Sequence, residues 1–124
     1  MTDTKETQVN LLVYGTLKPG HYNFDRFFNE TNVKIGEEIK LPGFKMYSLG
    51  AYPCVVHTEN NEDIITAVKL KNVKSNIFNS INNMELGAGY VRKEIKLDNE
   101  TYFIYVFKAN NIHNLKVVEN GNWN

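Results

Sequence analysis

Hydrophobic and polar positions change period several times along this chain, and each change marks an element. Val9 to Tyr14 (VNLLVY) is a β-branched, leucine-rich run halted by Gly15, the pattern of a strand buried on both faces. Lys18-Pro19-Gly20 punctuates a turn. From Tyr22 to Glu30, Phe24, Phe27 and Phe28 fall at helical spacing and predict a short helix with an aromatic face. Val33 to Ile39 reads as a strand with Gly36 as a bulge, and Leu41-Pro42-Gly43 as the turn after it. Phe44 to Leu49 and Cys54 to His57 are strand candidates separated by Gly50-Ala51-Tyr52-Pro53.

The second half alternates more clearly. Glu59 to Asp63 is a polar hairpin tip. Beyond it, Ile64, Thr66, Val68 and Leu70 alternate with Ile65, Ala67, Lys69 and Lys71 at period 2. Ser75 to Met84 then switches to helical period, with Ile77, Ile81 and Met84 in one apolar stripe and Ser75 as the expected N-cap. Gly87 and Gly89 are stop signals. Val91 to Leu97 and Thr101 to Lys108 form a predicted hairpin turning at Asp98-Asn99, and Leu115 to Val118 is a last short strand.

Strands predominate without alternating with helices, which argues against βαβ units. The fold expected is α+β: a strongly curved sheet or small mixed β-barrel of about six or seven strands, flanked by two short helices. The polar stretch 1–8 reads as a flexible N-terminal tail and 9–124 as a single domain.

Composition narrows the function. Hydrophobic residues make up 42% and charged ones 23%, so the chain is of globular type. Lys plus Arg and Asp plus Glu both number 14, which argues against a partner held through phosphate neutralisation; no nucleic-acid partner is expected. No apolar run is long enough to span a bilayer, and no secretory leader is visible; no membrane partner and a cytoplasmic location are expected. Cys54 is the single cysteine, and His21, His57 and His113 are scattered, so no metal and no cofactor are expected.

Few residues are placed for chemistry. Tyr14-Gly15-Thr16-Leu17 stands where a buried strand must turn. A glycine there permits positive φ and leaves backbone N–H groups free to take a carboxylate or phosphate; the alternative is a plain strand-ending turn. Glu85 follows the apolar stripe and precedes Leu86-Gly87-Ala88-Gly89. A carboxylate at the rim of an apolar region has a raised pKa; the alternative is a solvated acid at a helix end. Cys54 and His57, three apart on a strand, point to opposite faces, and Cys54 reads as buried and inert. Tyr90, Tyr102 and Tyr105 are core or rim aromatics, and Arg92 shares the strand face of Tyr90 with Glu38, Glu94 or a ligand as candidate partners.

Taken in order, these segments resemble the γ-glutamylcyclotransferase-like superfamily, in its AIG2-like and γ-glutamylamine cyclotransferase branch. Leu12 to Gly20 (LVYGTLKPG) is similar to its YGTLK-x-G signature. Pro42-Gly43-Phe44 to Tyr47 and Leu49 to Pro53 are similar to its G-x-x-M-Y-x-x-G-x-Y-P stretch. Met84-Glu85 to Tyr90-Val91-Arg92 is similar to its L-D-x-x-E-G…Y-x-R segment, and Gly121-Asn122-Trp123 to its terminal G-D-W. The chain departs at Ile81 and Asn82, where the family has Leu and Asp, and at Asn122, where it has Asp.

The resemblance implies a β-barrel flanked by helices, Glu85 as catalytic acid/base, and a substrate site lined by Tyr14, Gly15, Thr16 and Leu17. It implies a small-molecule γ-glutamyl substrate whose own α-amino group attacks the γ-carbonyl, releasing 5-oxoproline and an amine or amino acid. Thr16-Leu17 favours the amine-type branch, since the glutathione-type branch carries Ser-Asn there. The reaction would run without cofactor, with a pH optimum on the alkaline side. The competing expectation is a non-catalytic module holding a small anionic metabolite at the Tyr14–Leu17 loop.

Overall fold

The computed structural model describes residues 8–29 and 31–124. Residues 1–7 of the expected tail (1–8) and the end of the first expected helix (Glu30) lie outside the described residues; Gln8, the last residue of that tail, belongs to the first strand, where it pairs with Lys74. Strand β1 (Gln8–Val13) leads to helix α1 (Tyr22–Phe27), then β2 (Lys34–Pro42), β3 (Phe44–Ser48), β4 (Pro53–His57) and β5 (Ile64–Lys74). Helix α2 (Ser75–Gly87) follows, then β6 (Val91–Leu97), β7 (Glu100–Val106), a 3₁₀ turn (Ala109–Asn111) and β8 (Lys116–Val117).

One sheet has the order β2-β5-β1-β7-β6, and the other β4-β3-β8. β1 runs antiparallel to β5 and parallel to β7, so the larger sheet is mixed. β2 passes into β3 around Gly43 (φ +91), carrying the chain from one sheet to the other. At another seam the Phe107 N–H donates to the Val55 carbonyl at 2.8 Å. The result is the expected α+β barrel with two α-helices, built from eight strands among the described residues where about six or seven were expected. It is an open barrel: its sheets are separate ladders that meet at such seams.

β1 is apolar throughout its second half because it has a core on each side. Leu11 and Val13 face the helices, packing in one cluster with Val68, Leu70, Phe78 and Ile81. Leu12 and Tyr14 face the barrel interior with Met46, Val55, Ile65 and Tyr102. β5 alternates between the same clusters, with Ile65 and Ala67 inward and Val68 and Leu70 outward. That is the period 2 read in its sequence.

Local chemistry accounts for most boundaries. Asp98 and Asn99 both take positive φ (53° and 67°), as a two-residue hairpin turn requires. The register of β2 against β5 shifts between Ile35 and Glu38, which puts a bulge at Gly36. Helix α1 is shorter than the aromatic spacing suggested, since Phe28 already adopts extended backbone. The N-cap of α2 is Lys74, not Ser75, and no side chain caps it. The reason is that β5 stays paired as far as Lys74, opposite Gln8, so strand runs into helix with no loop for a cap.

Candidate active site

Helix α2 aims Glu85. Phe78 and Ile81 are buried in the helix-side core, and Glu85 lies one turn beyond Ile81 on that face. Gly89 then turns the chain in the left-handed region (φ +98), and the Tyr90 N–H donates to the Glu85 carbonyl at 3.1 Å. The side chain is thus held half-buried at the rim of the core. Desolvation pushes its pKa from the ordinary 4.5 up to about 7. Its place at a helix C-terminus disfavours the carboxylate as well.

The loop after β1 lies across from it. Among the described residues, the amide N–H groups of Gly15, Thr16 and Leu17 donate to no protein acceptor. The loop's own acceptors are used: the Gly15 carbonyl takes the Lys18 N–H (2.9 Å), and the Thr16 carbonyl takes the Phe24 N–H (3.1 Å). Asn23 Nδ2 donates to Thr16 Oγ1 at 2.8 Å, which pins the loop to α1. Gly15 does not adopt positive φ as expected from sequence. It must be glycine for space, because a Cβ would stand 2.7 Å from the Pro53 ring.

Tyr14, Gly15, Thr16, Leu17 and Glu85 border one cavity of about 170 Å³. The five residues picked out from the sequence therefore meet, although 68 or more positions separate the loop from the acid. Tyr90 and Tyr105 are part of the wall. The Tyr14 hydroxyl donates to the Tyr105 carbonyl and the Tyr90 hydroxyl to the Pro53 carbonyl, both at 2.6 Å. Burial, with Glu85 nearby, pushes these phenols far above their ordinary range, so they serve as fixed neutral groups.

Other candidates fall away. Cys54 is fully buried with its thiol pushed up to about 11, and His57 packs on the Phe44 ring. Tyr102 is off the site, its hydroxyl on Glu100. Arg92 pairs with neither Glu38 nor Glu94. It lies over the Phe78 and Phe103 rings and donates to Asn82 Oδ1 at 3.2 Å. The same oxygen accepts from the Tyr105 hydroxyl at 2.9 Å, so Asn82 fixes a wall residue without adding charge beside Glu85.

The sequence reading missed Asn23, Tyr22, Tyr52, Pro53, Met84 and Ala88, which also line the cavity. Asn23 is buried, and its Oδ1 has no hydrogen-bond partner. Nothing in the period of α1 distinguishes it, because the aromatic stripe dominates that pattern. Among the described residues, no group of three or more His, Cys, Asp or Glu side chains is arranged to hold a metal ion. None of the described helices is long and apolar enough to cross a membrane.

The raised pKa makes a stability prediction. Folding favours protonated Glu85, so the stability it contributes is full below about 4.5 and is lost as pH rises through about 7. Glu85→Gln is therefore expected to melt higher than wild type at pH 8 and equally at pH 4. Thermal melts at the two pH values check this; an unchanged difference would show that Glu85 is not desolvated.

The open two-sheet barrel is a fold of the γ-glutamylcyclotransferase-like superfamily, and here its pocket sets one acid, Glu85, across from a loop of free amides. The chain belongs to the family described as gamma-glutamyl cyclotransferase, AIG2-like, whose model matches residues 11–124. Solved structures share its fold. Protein ytfP from Escherichia coli superimposes with a TM-score of 0.73 at 22% identity, over 93% of this chain and 96% of that one. An uncharacterized protein from Pyrococcus horikoshii gives 0.71 at 22% identity, over 92% and 88%. An AIG2-like protein from Mus musculus gives 0.59 at 14% identity, over 80% and 76%. No curated protein gives a significant sequence match.

Proposed function

We propose that the protein is a γ-glutamylamine cyclotransferase-like enzyme that needs no cofactor. One observation carries the reading: a carboxyl group with its pKa near 7 shares a cavity with the unpaired amides of Gly15, Thr16 and Leu17. The amides suit the substrate α-carboxylate or a developing oxyanion. The substrate's α-ammonium gives a proton to the Glu85 carboxylate, and the freed nitrogen attacks the γ-carbonyl carbon. The new C–N bond closes the five-membered lactam. As the bond to the amine breaks, Glu85 returns the proton to the leaving nitrogen, and the attacking nitrogen gives its second surplus proton to solvent or to the departing amine, leaving the neutral lactam of 5-oxoproline and the free amine or its ammonium.

Glu85 ends as it began, so nothing else is consumed. A pKa near 7 suits both halves of that exchange better than the ordinary 4.5. Holding the chain folded for intramolecular attack can supply about 7–11 kcal/mol of the barrier. The test is release of 5-oxoproline from a panel of γ-glutamyl compounds; binding without release would favour the metabolite-holding module instead.

The pH dependence follows from the same proton. Below about 7 Glu85 is already protonated and cannot accept from the ammonium, so activity is expected to rise with pH through that value. At higher pH the attacking amine is free, but Glu85 has no proton to return, and activity falls again. The optimum therefore lies on the alkaline side. A kcat/KM profile flat from pH 5 to 8 would remove Glu85 from the proton path.

A further inference from the structure

We infer that the cavity mouth selects γ-glutamyl compounds whose leaving amine is apolar or aromatic, in preference to amino acids or other leaving groups bearing a carboxylate. The inference rests on the cyclotransferase reading and names the amine that reading leaves open. If the γ-glutamyl carbonyl lies between Glu85 and the loop amides, the substituent on the leaving nitrogen must run outward. Tyr22, Tyr52 and Ala88 are the lining residues that stand exposed. Tyr22 is 68% and Tyr52 40% exposed, large aromatic rings left in water where they border the pocket. With Met84 in the same lining, they give the cavity an apolar collar.

Charge points the same way. Glu85 is the one side chain of the wall that carries charge near neutral pH, and no Lys, Arg or His lines the cavity. A leaving group with its own carboxylate would bring like charge toward Glu85 and find no cation in the wall. Arg26 lies beside the lining residue Met84. Its guanidinium lies 5.2 Å from the centre of the Phe27 ring and 4.0 Å from Met84 Sδ, outside the lining. An uncharged aromatic or alkyl substituent instead gains contact with both tyrosine rings.

The test compares kcat/KM for 5-oxoproline release from γ-glutamylbenzylamide, γ-glutamylmethylamide and γ-glutamylglycine. Burying an aromatic substituent predicts about a tenfold to hundredfold advantage for the benzylamide over the glycine conjugate. The ratio of benzylamide to methylamide should drop about tenfold in the Tyr22→Ala/Tyr52→Ala double variant. It should survive in Tyr52→Phe, which keeps the ring. Equal rates for all three substrates, or a ratio unmoved in the double variant, overturn the inference alone. A preference for the glycine conjugate that Arg26→Ala abolishes also overturns it, because the rim would then read a carboxylate. No 5-oxoproline from any of the three ends the cyclotransferase reading, and this inference with it.

Discussion

Glu85→Gln is expected to lower turnover by about 10²–10⁴ while leaving substrate affinity largely in place. Glutamine keeps the size of the side chain and can still hydrogen-bond, but it cannot carry the proton from the substrate ammonium to the leaving nitrogen. The groups proposed to hold the glutamyl head are backbone amides on the opposite loop, which the substitution does not touch. The loss should therefore fall on kcat, with KM nearly unchanged. Steady-state kinetics with one γ-glutamyl amide, and calorimetric binding to the variant, separate these quantities. Turnover at the wild-type rate would take Glu85 out of the mechanism, whatever its pKa.

Gly121→Ala is expected to destabilise the fold by about 2–5 kcal/mol, combining overpacking with left-handed backbone strain. Gly121 has φ +66, and its carbonyl accepts the Thr66 N–H at 2.8 Å. A Cβ at this position would collide with the Ile64 carbonyl oxygen and stand 3.0 Å from Ile65 Cα, backbone atoms that cannot swing aside. Urea denaturation measures the loss, which is a large share of a typical domain's stability. A midpoint within error of wild type would mean that the segment does not clasp β5 in solution.

The same segment reaches the site from behind. Lys18 follows the last residue of the amide loop and is buried, with its ammonium on the Asn122 side-chain oxygen (3.0 Å) and the Trp123 carbonyl (2.6 Å). Burial lowers its pKa, with Glu38 opposing the shift. Asn122, where the family pattern has Asp, thus keeps an acceptor for Lys18 and gives up the charge. Asn82 does the same for Tyr105 and Arg92. At both positions the asparagine side-chain oxygen accepts these hydrogen bonds.

Much of this was legible in the sequence because it depends on near neighbours. The strand period of β5, the Asp98-Asn99 hairpin turn, the apolar stripe of α2 and the glycine stop after it are set by residues within a few positions of one another. The ordered motifs from Tyr14 to Trp123 were enough to connect the chain to its family and to single out Glu85 and the Tyr14–Leu17 loop.

Tertiary structure decided what depends on residues far apart in the chain. It placed Glu85 and the loop on one cavity, and it made Gly15 a question of space against Pro53 where sequence suggested backbone freedom. It put the α2 cap at Lys74, because pairing with Gln8 prolongs β5. It turned Arg92 to Asn82 and buried Asn23 against Thr16. The physical reason is common to all of these. Periodicity reports which face of an element is apolar, whereas hydrogen-bond partners, desolvation and close packing are fixed only when distant elements meet.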